Sequence, residues 1–234
     1  MKKTITAISL LLISTNLLAE TEYPKNPILR PLTLTDGTIA ITGAVALQEE
    51  KNENRGRIFA NLAYGLTDNL TLGYGGLNYR ILARPDNQTG LELAVGLGLR
   101  GHQEQLNNKE SIAYGTDITG KYVFAPDLAM TFALGFVKWD EQHRDNREEF
   151  RYSVGVQKRL ASDWSINGNY TYRDLKDFEQ NNAHQAQVAL NYTYNKNTDI
   201  GLFAGYSNFD AQENGYKSDH NFDRAVGLYV SYRF

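Results

Sequence analysis

The chain has 234 residues, carries 24 Lys+Arg against 27 Asp+Glu for a formal charge of -3, and contains no cysteine. That balance excludes the basic stripe by which proteins neutralise nucleic-acid phosphates, so nucleic acid is not an expected partner. Zero Cys excludes a disulfide framework, a thiolate metal site and a lipidated N-terminal cysteine. With 15 Tyr, 10 Phe and 20 Gly beside 2 Met and 5 Pro, the composition favours strands over a helical bundle.

Residues 1–19 read as a secretory signal peptide. Lys2 and Lys3 precede an apolar run over 8–12 that continues through Leu17 and Leu18 to Ala19, where the character changes to Glu20, Thr21 and Glu22. A buried N-terminal helix is the weaker alternative, because nothing amphipathic follows. Removing the segment deletes two lysines and no acid, which leaves a charge of -5. Residues 20–37 are expected to form a periplasmic N-terminal segment, and residues 38–234 a barrel.

No later apolar run reaches the roughly 20 residues that a membrane helix requires. Strands are another matter, since only every second residue of a spanning strand meets lipid. Over 91–100 the odd positions are Leu91, Leu93, Val95, Leu97 and Leu99, and the even ones are Glu92, Ala94, Gly96, Gly98 and Arg100. The period of two recurs in Leu128, Met130, Phe132, Leu134 and Phe136, in Trp164, Ile166, Gly168, Tyr170 and Tyr172, and in Ala186, Val188, Leu190, Tyr192 and Tyr194. Each run is about ten residues, the length of a tilted membrane-crossing strand. Tight-turn signals at Gly90, Pro126, Ser162 and Thr198, with the end of the chain at Phe234, are spaced by a constant 36 residues. Longer polar segments at 102–110, 141–149, 174–183 and 210–221 fall between them as expected loops. A soluble sandwich or lipocalin-like barrel would carry Lys and Glu on its second face. Here that face is Gly, Ala, Ser, Thr and Asn, which places the apolar face against lipid and the small polar face around a lumen.

In this pattern the chain resembles bacterial outer-membrane β-barrel proteins of porin-like type over nearly all of the length after the export segment. The last strand carries the resemblance most sharply: Val226, Leu228, Val230, Tyr232 and Phe234 alternate up to an aromatic terminus. The resemblance implies that Val230, Tyr232 and Phe234 form the signal read by the barrel insertion machinery, and that the 36-residue turns are periplasmic. Two further stretches, ArgProLeuThrLeuThrAspGlyThr from Arg30 and TyrGlyLeuThrAspAsnLeuThrLeuGly from Tyr64, are similar to the meta-pathway phenol-degradation type of outer-membrane transporter.

The fold class is therefore all-β: a transmembrane antiparallel barrel of 12 strands, with short periplasmic turns and polar extracellular loops. Ten strands is the alternative, if residues 70–82 do not form a short hairpin through Gly75 and Gly76. If apolar positions face lipid, the charged pore-lining residues are Glu92, Arg100, Asp117, Lys121, Arg151, Arg159, Arg173 and Arg233, a cationic set. Arg151 and Arg173 are equidistant from the turn at Ser162, so they should oppose one another across the ladder. Either they form an anion-attracting constriction, or Asp117, Glu149 or Asp223 neutralises them and closes the lumen. Trp139 has the wrong parity for lipid and should lie in the outer mouth.

The expected function is a narrow passive channel or porin-like transporter for small polar or anionic solutes in the bacterial outer membrane. The alternative is a closed structural or surface-interaction barrel, and an outer-membrane hydrolase comes third. For the hydrolase the candidates would be His143 with Asp145, or Ser218, Asp219 and His220 at the outer mouth. Solvated loop histidines are the commoner case and no nucleophile motif is present, so no catalytic residues, metal or cofactor are expected. Lys138 and Arg224 near the outer rim and Lys158 near the inner one are placed to meet lipopolysaccharide phosphates or other headgroups. Outer-membrane lipids, the insertion machinery and a small solute are thus the expected partners.

Overall fold

The computed structural model describes residues 23–50, 53–85, 88–105, 110–141, 146–178, 180–209, 216–218 and 223–234. The expected export segment, residues 1–19, lies outside them. Strands β1 (Ile39–Glu50), β2 (Glu53–Thr67), β3 (Leu70–Gly73), β4 (Gly76–Leu82), β5 (Gly90–Gln105), β6 (Glu110–Ala125), β7 (Leu128–Glu141), β8 (Arg147–Arg159), β9 (Trp164–Lys176), β10 (Asn182–Thr193), β11 (Thr198–Ser207) and β13 (Arg224–Arg233) pair antiparallel in one ring. The ring closes where β1 meets β13, from Ala40 opposite Arg233 to Glu49 opposite Arg224. β12 (Tyr216–Ser218) lies outside the ring and pairs with the outer end of β5. Twelve strands form the wall, and both ends of the described chain lie at its inner rim.

Burial is inverted relative to a soluble protein, as the alternation requires. Leu97, Leu134 and Leu202 are 60%, 56% and 54% exposed, while Glu92 and Glu149 on the opposite face are fully buried. Aromatic side chains ring this exterior at two levels. Phe136 and Phe150 (5.2 Å) and Tyr152 and Tyr172 (6.1 Å) lie toward the outer end; Trp164 and Tyr192 (5.0 Å) and Tyr232 and Phe234 (5.7 Å) lie toward the inner one. Paired girdles flanking an apolar band are the signature of a barrel that spans a membrane.

The hairpin of β3 and β4 is the low stretch of wall. Its tip turns at Gly75 (φ +85°), whose carbonyl accepts from Leu99 N at 2.7 Å. It approaches β5 so closely that a Cβ on Gly98 (φ +148°) would stand 2.2 Å from the Gly75 oxygen. Glycine is needed here for both conformation and space.

One expectation changes. The polar segments at 102–110, 141–149 and 174–183 are partly strand, since β5 runs to Gln105, β8 starts at Arg147 and β9 ends at Lys176. Above the apolar band both faces of a strand are polar, so the period of two fades while the hydrogen-bond ladder continues. The described part of the expected N-terminal segment lies in the inner mouth. Residues 23–38 form a strap containing one 3-10 turn, Pro27–Leu29, capped by the Asn26 side chain. Ile28 on that turn is 1% exposed and packs on Val123 and Ala129 of the barrel interior.

Candidate functional site

The enclosed face carries the polar chemistry, in two chambers stacked along the barrel axis. The outer chamber, about 370 Å³, is lined by Arg100, Trp139, Arg151, Arg173 and Phe209 together with the neutral Asn169, Gln185 and Gln187. Arg151 and Arg173 are register partners across β8 and β9, as their distance from Ser162 predicts. Like charges so placed repel unless a carboxylate intervenes, and Glu149 does so. Its Oε2 accepts from Arg173 Nε at 2.6 Å, and its Oε1 accepts from Arg151 Nη2 and from Trp139 Nε1 at 3.1 Å. Glu149 thus bridges both arginines, but it leaves Arg151 Nε and Arg173 Nη2 buried without a hydrogen-bond partner among the described residues. The Arg173 guanidinium lies 3.4 Å over the Phe209 ring, and that of Arg147 lies 4.2 Å over Phe178. Arg147 also pairs with Glu141, which accepts from Ser111 Oγ, and Arg100 pairs with Asp117.

Between the chambers a neutral belt crosses the wall. Asn191 Nδ2 donates to Asn167 Oδ1 at 2.7 Å, Ser153 and Thr171 share a hydroxyl bond of 2.8 Å, and Tyr229 donates to Asn191.

The inner chamber, about 400 Å³, is bounded by the strap residues Pro27, Arg30, Pro31 and Leu32 and by wall residues including Lys121, Asp199, Tyr229 and Arg233. Asp199 accepts from both Nη atoms of Arg30 at 2.5 and 3.0 Å, from Arg233 Nη1 at 2.7 Å and from Thr193 Oγ1 at 2.9 Å. Lys121 Nζ donates to the Arg30 carbonyl at 3.0 Å. Glu92 accepts from Leu32 N at 2.8 Å and pairs with Arg80 and Arg84 at 3.3 Å each. On the rim, Lys25 pairs with Asp163 at 2.7 Å. The hydrogen bond from Lys25 and its charge hold the Asp163 carboxyl below the ordinary aspartate value, against the opposing effect of partial desolvation.

The two stretches that carry the transporter resemblance meet at this end. Thr33 Oγ1 donates to the Asp68 carbonyl at 2.7 Å, Leu34 N to Thr71 Oγ1 at 2.8 Å, and Gly37 N to the Gly65 carbonyl at 2.9 Å. A Cβ on Gly65 would lie 2.1 Å from the Thr35 oxygen, so only glycine admits the strap this close to β2.

The expected pore-lining residues divide between the ends. Arg100, Asp117, Arg151 and Arg173 belong to the outer chamber, and Glu92, Lys121 and Arg233 to the inner one. Arg159 sits at the inner rim, where its guanidinium donates to the Ala161 and Ser162 carbonyls. Val230, Tyr232 and Phe234 face outward at about half exposure. Lys158 pairs with Asp127 at the inner rim, while Lys138 and Arg224 are exposed. Trp139 lies in the outer mouth, 2% exposed. His184 is on the lipid-facing side, bonded through Nδ1 to Tyr170 Oη at 2.6 Å. Side chains of His102, His143, Asp145, Ser218, Asp219 and His220 lie outside those described.

Arg30, Arg84, Glu141, Arg147 and Asp199 complete the site without having been anticipated. Parity alone points Glu141, Arg147 and Asp199 inward, if the alternation is carried past the apolar band. Arg30 and Arg84 sit in irregular segments, where no periodicity reports on direction.

Comparison with known proteins matches residues 33–195, more than half of the chain, to the family model described as the outer membrane protein beta-barrel domain. Among solved structures, the chain is similar to the NanC porin, with a TM-score of 0.54 at 12% identity over 83% of this chain and 98% of that one. It is also similar to the KdgM porin (TM-score 0.49, 12% identity, 83% and 99% covered) and to an anion-selective porin from Comamonas acidovorans (0.49, 11%, 84% and 98%). A search of curated protein sequences finds no match. An inverted barrel with two aromatic girdles and this family match lead to one assignment: the chain belongs to the outer-membrane β-barrel domain family and resides in the outer membrane of a bacterium.

Proposed function

We propose that the barrel is a narrow passive channel for small polar or anionic solutes, working by permeation and not by catalysis. The observation that carries this is the pair of buried guanidinium nitrogens, Arg151 Nε and Arg173 Nη2, that keep no hydrogen-bond partner among the described residues, in a chamber whose lining also includes Arg100 and the neutral amides Asn169, Gln185 and Gln187. A buried donor without a partner favours an acceptor brought by a solute or by water. The surrounding charge supports the same preference: in the outer chamber Arg100, Arg147, Arg151 and Arg173 face three carboxylates, and in the inner one five cations face Glu92 and Asp199. A chamber near 370 Å³ holds about a dozen waters at about 30 Å³ each, a scale suited to small solutes.

The test is ion conduction by purified protein in planar bilayers under a salt gradient. The expected result is discrete conductance with a reversal potential on the anion side. No conductance, or a cation preference, overturns the proposal. A closed structural barrel is the second reading, favoured by the Glu149 bridge at one end and the strap at the other, and the same recording separates the two. At the surface we assign exposed Lys138 and Arg224 to lipopolysaccharide phosphates, and the Val230, Tyr232 and Phe234 terminus to the insertion machinery.

A further inference from the structure

The strap closes the inner mouth with contacts that water can replace. From Tyr23 to Thr35 its backbone joins no β-ladder; side chains of the wall and of the strap itself hold it one group at a time. Lys121 donates to the Pro27 and Arg30 carbonyls, Asn78 to the Leu32 carbonyl, Asn26 reaches the Pro126 carbonyl, and Glu92 and Thr71 accept from Leu32 and Leu34. Ile28 is its deeply buried apolar anchor. Gly37, with φ +71°, joins the strap to β1.

The strongest attachment is ionic and asymmetric. Asp199 on β11 holds Arg30 of the strap and Arg233 of the wall together. If Arg30 leaves, Asp199 keeps Arg233 at 2.7 Å and Thr193 at 2.9 Å, so no buried carboxylate is stranded. Removing one partner of a buried pair is costly when the other is left alone. This triad avoids that cost on the wall side, and the departing guanidinium enters water. Lys121 loses the Pro27 and Arg30 carbonyls when the strap departs, but the same departure opens its ammonium to water; an element with two arrangements, each leaving its charges paired or solvated, is what a gate requires.

We propose that the strap is a gate on the periplasmic mouth, latched by the Arg30–Asp199–Arg233 triad and opened when Arg30 lets go. The proposal rests on the channel reading and adds its regulation: the strap supplies one boundary of the inner chamber, so its departure joins that chamber to the periplasm.

The chain has no cysteine, so an Ile28→Cys, Ala129→Cys pair introduces a unique cross-link between strap and wall. In planar bilayers the reduced pair is expected to switch between low and high conductance, and the oxidised pair to stay low, with a time-averaged conductance several-fold smaller. Equal conductance in both forms overturns the gate. Independently, Arg30→Ala is expected to raise the open fraction several-fold, and an open fraction equal to the parent's overturns the latch. If no form conducts, the channel reading fails and amide hydrogen exchange decides the gate. Exchange at Leu32 and Leu34 at least tenfold faster than at Val45 in the β1 ladder, and faster again in Arg30→Ala, supports a strap that opens. Exchange as slow as the ladder overturns it.

Discussion

Glu149 shows how much one carboxylate does in this lumen. It is fully buried, bridges two arginines that β8 and β9 force opposite one another, and orients Trp139 through the indole N–H. Replacing it by glutamine keeps the shape but leaves two guanidinium groups facing each other. Truncating one partner of a buried ionic network costs about 3 kcal/mol, and a fall of that size is expected in urea unfolding from lipid vesicles. The same Glu149→Gln change raises the positive balance of the outer chamber by one, so the anion-to-cation permeability ratio should rise. An unchanged reversal potential would remove this chamber from the selectivity filter. Arg151 and Arg173 were legible from symmetry about a turn, because register in a tight hairpin follows from distance to its centre. Arg30 was not, since its partner is 169 residues away in sequence.

The short hairpin of β3 and β4 depends on glycines for its seat. Gly98→Val would put a side chain on a residue at φ +148° and drive it into the Gly75 carbonyl and the Gly76 backbone. Strain of this kind costs about 1–3 kcal/mol, so the urea midpoint should fall while the remaining ten long strands keep their pairing. A midpoint equal to the parent's would show that the tip does not rest on β5. The Gly75 and Gly76 turn was visible in the sequence, and with it the count of twelve. The extension of β5, β8 and β9 into polar sequence was not, because alternation reports burial contrast and vanishes where both faces are wet. The strap was equally opaque. It has no period, and its position is set by carbonyls and amides that every sequence possesses.

At the scale of the whole barrel, the inverted burial sets opposite tolerances on the two faces. Leu134→Arg on the lipid-facing side should destabilise by about 2–4 kcal/mol if it lies near the bilayer midplane. Asn169→Arg in the lumen should change stability by less than about 1 kcal/mol and alter ion selectivity instead. Urea unfolding in vesicles measures the first effect and reversal potentials the second. A reversed order of stabilities would overturn the assignment of lipid and lumen faces.

The alternation of large apolar with small polar residues, repeated every 36 residues and ending in an aromatic strand, was enough by itself to determine a membrane barrel and to sort its faces. That outcome depends on a local rule: a strand has two sides, and each residue's side follows from its parity. Pairing between charges on distant strands obeys no local rule. Asp199 with Arg30, Lys121 with the Arg30 carbonyl, and the folding of residues 23–38 into the inner mouth come from closing the ring, which brings distant segments into one small volume where each buried charge must find a counterpart. Only the tertiary structure decided those.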